Sequence, residues 1–256
     1  MKFAKNAIWL LALLFVAACQ LPSTKHEGTS DFHTCTEMKI PTTNDLNVSQ
    51  DANIASLLAN QWHQDTLRFK FLDGDPRVQA KVVRIAKTWE QYCGIVFLFG
   101  DWDHPDATIG FKQKGSWSYI GTDSRLIARQ GKASMNFGWL DQNSNDSEYQ
   151  RVVLHEFGHA LGLIHEHQNP KGGICWKLKE VYQWYKRTQG WSNADTKTNV
   201  IDKYSTDQTN GTELDPLSIM MYFIPKGLTC DGFHTKENIV LSEQDKYWVG
   251  VVYPKK

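Results

Sequence analysis

This chain has no excess of either charge: 28 Lys and Arg stand against 28 Asp and Glu, for a formal net charge of zero over 256 residues. A nucleic-acid binder needs a basic face across most of a domain, so no nucleic-acid partner is expected. Long apolar runs are also missing. The longest, residues 7–18, has twelve members, too few to cross a hydrocarbon core about 30 Å thick as a permanent helix. Cysteine is scarce, five in all, and no two form a C-x-x-C pair, which argues against a cysteine zinc site. No internal repeat is visible. What is present is a globular composition, 41% hydrophobic and 22% charged, which excludes wholesale disorder. Ten Trp, nine Tyr and twelve Phe supply a core and surfaces that can hold extended peptide or sugar.

The short apolar run has a different use. Lys2 and Lys5 precede it, as in the charged start of a secretory signal. It closes on Val16, Ala17, Ala18 and Cys19, which resembles the bacterial lipobox, where the Cys is lipidated and becomes the new N-terminus. An ordinary signal peptide with a coincidental Cys is the alternative. Gln20 follows, not the Asp that favours inner-membrane retention, so outer-membrane sorting is expected, on the periplasmic or the surface face. The expected division is a lipoprotein signal over 1–18, a lipidated tether over 19–61 and a catalytic domain over 62–256. Polar composition in residues 20–50 supports the tether.

Four cysteines remain: Cys35, Cys93, Cys175 and Cys230. In an exported chain an even count implies two disulfides, with three connectivities open. Pairing Cys175 with Cys230 and Cys35 with Cys93 is the favoured arrangement. Cys35 has a second reading, by resemblance to the metal-capping latency thiolate of matrixins, although its neighbours His33, Thr34 and Thr36 lack that family's motif.

Residues 66–72 (TLRFKFL) alternate like a half-buried strand. Val78, Val82, Ile85, Ala86 and Trp89 recur at helical spacing over 78–92. Residues 95–99 predict a short buried strand, and 107–111 and 133–137 two more. The glycine-flanked segment 115–121 (GSWSYIG) reads as a functional loop. This order predicts an α+β fold with a mixed sheet.

Residues 155–165 read HEFGHALGLIH. On a helix His155 and His159 share a face, one turn apart. Glu156 lies about 100° round the same helix, beside any metal the pair holds and suited to act as general base on its water. The helical pattern stops at Gly162, which accepts the left-handed backbone of a sharp turn. His165 can then swing back as third ligand. Three ligands with an open position is the catalytic arrangement for zinc.

The motif resembles the metzincin zinc peptidases, whose signature is H-E-x-x-H-x-x-G-x-x-H with a downstream Met-turn. Ser218-Ile219-Met220-Met221-Tyr222, whose Met220 lies 55 residues beyond His165, is similar to that turn in its astacin form, with Met221 in place of the usual His. The resemblance implies a two-lobed domain with a twisted mixed sheet, an active-site helix and a cleft over the metal. It implies Met220 beneath the metal, and Tyr222 as a further ligand that also stabilises the transition state. Residues 241–245 with Tyr253 and Pro254 resemble the closing segment of such domains. In astacins the Glu after the third His binds the free N-terminus. Here Glu166 holds that place, but an acylated Cys19 carries no such charge, so Glu166 needs another partner.

The expected activity is hydrolysis of peptide bonds in protein substrates by a monomer anchored to a membrane through its lipid. The substrate is expected to lie along an edge strand at 133–137. A zinc-containing binding lipoprotein that uses the cleft as a ligand platform is the rival reading.

Overall fold

The computed structural model describes residues 33–38, 40, 60–204 and 213–256. The signal segment and Cys19 lie outside the described residues. So does most of the expected tether, apart from residues 33–38, 40, 60 and 61, which belong to the unit spanning His33–Lys256.

Six strands are present among the described residues: β1 (Thr36–Met38), β2 (Thr66–Phe71), β3 (Val96–Phe99), β4 (Ala107–Gly110), β5 (Ser116–Tyr119) and β6 (Met135–Phe137). They form one sheet in the order β1-β5-β6-β4-β2-β3. Neighbours run parallel except β5 and β6, which are antiparallel. The helices are α1 (Pro76–Ala86), α2 (Asp123–Ala128), α3 (Asp146–Ala160), α4 (Leu178–Gln189), α5 (Asn193–Thr196) and α6 (Glu243–Val252). The fold is α+β with a mixed sheet, as expected.

Local chemistry explains the elements near the site. β2 alternates as its sequence does, with Leu67 and Phe69 buried and Arg68 exposed. α1 starts where Asp75 accepts from the Arg77 N–H at 2.8 Å and Pro76 takes the first helical position. It ends at Ala86, earlier than periodicity implied. Trp89 instead begins a 3₁₀ turn, because its fully buried indole N–H donates to the Leu154 carbonyl at 3.1 Å.

Three expectations need correction. Segment 115–121 is not a loop: its centre is β5, paired to β6, and Asn136 Nδ2 anchors its start by donating to the Gly115 carbonyl at 2.6 Å. Segment 133–137 holds β6, which has neighbours on both sides and offers no free edge. The next strand, β5, is covered on its other side by β1, the edge strand of the sheet. The run 95–99 is not wholly buried, since β3 is the far edge strand and exposes Val96 and Leu98.

Two hydrophobic clusters correspond to two lobes. In the first, Phe157 of α3 packs 5.0 Å from Phe69 and 5.5 Å from Phe97, ring centre to ring centre. In the second, Val181 and Tyr185 of α4 pack with Val200, Ile224 and Leu228. Residues 218–222 straddle the division: Ile219 and Met220 belong to the first cluster, Met221 and Tyr222 to the second.

A disulfide joins Cys175 to Cys230, as favoured. The pairing of Cys35 with Cys93 is overturned, because both are buried and unbridged. Cys93 points its thiol at the Trp89 carbonyl, 3.4 Å away, inside the first core. Cys35 lies against Tyr222, whose hydroxyl donates to its carbonyl.

Candidate metal centre

Asn145 caps α3 by accepting from the Glu148 N–H at 2.7 Å. At the other end the chain reverses through Gly162, whose φ is 96°. The last carbonyls of α3 are all held from outside the helix or by its closing turn. Gly121 N–H donates to His159 O at 2.9 Å, Trp62 Nε1–H to Ala160 O at 2.7 Å, and the Tyr253 hydroxyl to Leu161 O at 2.7 Å. A helix end that is buried needs such partners, and these fix the helix that carries two histidines.

His155, His159 and His165 come together as expected, all buried. Their Nε2 atoms converge, His165 lying 3.2 Å from His155 and 3.1 Å from His159. The opposite nitrogens face acceptors: His155 Nδ1 the Ile219 carbonyl at 2.8 Å, and His159 Nδ1 the Leu163 carbonyl at 2.9 Å. Nδ1 of His165 lies 3.4 Å from Gln168 Oε1. A carbonyl can only accept, so the ring protons sit on Nδ1 and the Nε2 lone pairs face one another. Burial, reinforced by the neighbouring imidazoles, pushes the pKa values of His155 and His165 well below the ordinary range. Three imidazoles whose Nε2 atoms converge fit a cation. Tetrahedral zinc with bonds of about 2.0–2.1 Å keeps its nitrogens roughly 3.3 Å apart, close to the spacing here.

The Met-turn supports this cluster from below. A Cβ on Gly158 would lie 2.4 Å from Met220 Sδ, so only glycine lets α3 settle on the methionine. Ser218 Oγ donates to Asp245 Oδ1 at 2.7 Å and Ile219 N–H to Asp245 Oδ2 at 2.8 Å. Asp245 stands in the first turn of α6, where it completes a capping box with Ser242. This is the closing segment whose resemblance was noted, and its work is to hold the turn.

Glu156 is fully buried, and neither of its oxygens has a hydrogen bond of standard geometry. The Cys35 thiol faces it without meeting that geometry. Burial pushes the Glu156 pKa well up, while the thiol and the charge of Arg151 oppose the shift. A buried carboxylate left open beside three imidazoles suits a water activated there.

Residues 33–38 pass beside the histidine cluster, Glu37 Oε2 lying 3.7 Å from His165 Nδ1. β1 pairs with β5 in parallel, Glu37 opposite Ser118. His33 stacks on Trp139 at 4.7 Å, and Thr34 N–H donates to Gln189 Oε1 at 3.3 Å. The Tyr222 hydroxyl donates to the Cys35 carbonyl oxygen. Its ring lies 4.4 Å from His165 and 4.2 Å from His167.

Glu166, whose partner the sequence left open, accepts from the Asp215 N–H at 3.0 Å and from Asn169 Nδ2 at 3.1 Å. Burial, aided by Asp215 and Asp245, pushes its pKa up to about 7 against the effect of those hydrogen bonds.

Sequence reading missed the layer around the histidines. Gln168 donates to the carbonyls of Thr198 and Asp202, both at 2.8 Å, and His167 Nε2 lies 3.0 Å from the Asn199 carbonyl. Those carbonyls belong to or adjoin a π-helical turn, Lys197–Ile201, a feature frequent at functional sites. No spacing signals it. Glu37 and Cys35 did have a signal, the strand alternation in HTCTEM, though the polar surroundings hid it.

Residues 55–224 match the family described as Astacin (Peptidase family M12A). No curated protein matches. Two solved structures of myroilysin are similar to this chain. One is 38% identical with a TM-score of 0.74, covering 78% of this chain and 98% of that one. The other is 35% identical with a TM-score of 0.64, covering 89% and 93%. High choriolytic enzyme 1, a hatching enzyme zinc-protease of the medaka fish Oryzias latipes, shares the fold at 14% identity, with a TM-score of 0.51 over 77% of this chain and 96% of that one.

Proposed function

The chain belongs to the astacin family of zinc metalloendopeptidases, peptidase family M12A, and from that premise we propose an exported zinc endopeptidase held latent by its own residues 33–38. The observation that carries the reading is the convergence of three imidazoles on the helix and turn that also carry the buried carboxylate of Glu156.

His155, His159 and His165 would hold zinc, which when bound supplies Lewis acidity and lowers the pKa of a water. Glu156 accepts the proton of the attacking water and delivers it to the leaving amine. The Tyr222 hydroxyl, already donating to one backbone carbonyl in the cleft, donates to the carbonyl under attack. Substrate lies along β5 by strand addition, on the edge that β1 now covers.

Latency follows from that same occupancy. β1 fills the substrate edge, Tyr222 is committed to Cys35, and the Cys35 thiol stands against Glu156. Export and anchoring through Cys19 to an outer membrane is part of the proposal, supported by residues 16–19. A pure ligand platform has no use for Glu156, which argues for the enzyme over the binding protein.

The test is hydrolysis of a denatured general protein substrate by the full chain, with Cys35→Ala alongside, before and after chelation. We expect activity that chelator removes and zinc restores. A metal-loaded Cys35→Ala chain with no hydrolysis on any substrate would overturn the reading.

A further inference from the structure

His165 differs from the other two histidines in what holds it. Nδ1 of His155 and Nδ1 of His159 each face a backbone carbonyl, of Ile219 and Leu163 respectively. Nδ1 of His165 faces a side chain, Gln168, whose Oε1 is 3.4 Å away. Glu37 stands farther off, with Oε2 at 3.7 Å, and belongs to the segment that must leave before substrate enters.

An amide can present either its oxygen or its nitrogen to a neighbour, and here the π-helical turn decides which. Gln168 Nε2 donates to the Thr198 and Asp202 carbonyls, both at 2.8 Å. Carbonyls only accept, so both amide protons are committed to the turn and the oxygen is left facing His165. The register of the turn makes this possible. In an α-helix the Asp202 N–H would close on Thr198, four residues back. It donates instead to the Lys197 carbonyl, five back, at 2.8 Å, which leaves the Thr198 carbonyl open to Gln168. Val200, inside the turn, is 1% exposed and packs in the second hydrophobic cluster. Contact therefore runs unbroken from the core of the second lobe to His165.

We propose, on the basis of the zinc reading above, that Gln168 is the positioning residue of the third metal ligand and that the π-helical turn locks it in place. Two ligands are then oriented from around α3 and one from the second lobe. Metal affinity and the order of residues 197–202 become linked, and such linkage is reciprocal.

The first measurement needs no metal. In the metal-free full chain with isotope-labelled histidine, ring nitrogen shifts should place the His165 proton on Nδ1, and Glu37→Ala should leave it there. Gln168→Met, added to Glu37→Ala, keeps the shape and removes the acceptor, and should give a mixture of tautomers. A proton on Nε2 in the unaltered chain, or one held on Nδ1 as firmly without Gln168, overturns the proposal.

Zinc affinity, read by competition with a metal buffer, should fall about 10- to 100-fold in Gln168→Met and less in Gln168→Glu. Both substitutions remove the donors to the turn, but Glu keeps an acceptor for Nδ1. Equal losses would mean that Gln168 only anchors the turn, and no loss that His165 needs no orienting partner; either overturns the proposal. Zinc should also slow amide exchange at 197–202 in the unaltered chain and not in Gln168→Met, and slowing of the same size in both would sever the link. If the unaltered chain binds no zinc, the peptidase reading fails and the tautomer alone decides.

Discussion

Asp245 and His155 are joined through a single peptide unit. Asp245 Oδ2 accepts from the Ile219 N–H at 2.8 Å, and His155 Nδ1 lies 2.8 Å from the Ile219 carbonyl. The first turn of α6 therefore sets the orientation of an imidazole on α3, by way of the Met-turn. Outer partners of this kind typically change metal affinity 10–100-fold when lost.

Asp245→Ala should accordingly weaken zinc binding by about 10- to 100-fold, with α3 intact. Asp245→Asn, which keeps one acceptor, should fall between. Titration against a metal buffer, with circular dichroism as the control for fold, reads the effect. Equal affinity in all three proteins would show that the Met-turn holds His155 without the carboxylate.

Glu156→Gln should abolish hydrolysis while zinc stays bound, because Gln keeps the shape of Glu and loses its basicity. General acid–base catalysis is worth about 10² to 10⁴ in rate. Tyr222→Phe should cost less, about 10² to 10³ by analogy with one oxyanion donor. Kinetics on metal-loaded proteins should rank wild type first, then Tyr222→Phe, then Glu156→Gln. The reverse order would assign the proton to another group.

Cys35→Ala should raise the activity of the full chain, since the thiol no longer stands against Glu156 and one anchor of the cleft-filling segment is gone. Zinc content should stay at one per chain. Initial rates on a quenched peptide decide it. Rates no higher than those of the unaltered chain would mean that β1, not the thiol, enforces latency.

Thiol counting tests the cysteine correction directly. Unfolded but unreduced Cys19→Ser protein should titrate two thiols, from Cys35 and Cys93, with Cys175 and Cys230 silent. None would restore the second disulfide. Four would remove the first.

Gly162→Ala should destabilise the domain by about 1–2 kcal/mol, because a Cβ disfavours the left-handed region that its φ of 96° requires. No close atom blocks the added methyl, the nearest being 3.8 Å away, so the penalty is conformational. Denaturant unfolding of the metal-free chain isolates it from ligand binding.

The sequence by itself determined what depends on short spacing. His155 and His159 share a face because a helix turns every 3.6 residues, and Gly162 turns the chain because it lacks a Cβ. Those facts needed no partner, so the cluster of His155, His159 and His165 was legible from spacing, and the turn at 218–222 from its resemblance to the family pattern. The strand at 66–72 and the bridge between Cys175 and Cys230 were legible for similar reasons of pattern and placement. What only the tertiary structure decided involves residues far apart in the chain. Whether 115–121 is loop or strand depends on β6, about twenty residues later. Whether 133–137 offers an edge depends on which strands flank it. The fate of Cys35 depends on Glu156 and Tyr222, the latter 187 residues away, and on β5 as a docking edge. A strand's pairing partners leave no mark at its own position, because backbone donors and acceptors are the same in every residue but proline. For that reason residues 33–38, read as tether, dock on the sheet instead, with Thr36–Met38 paired to β5.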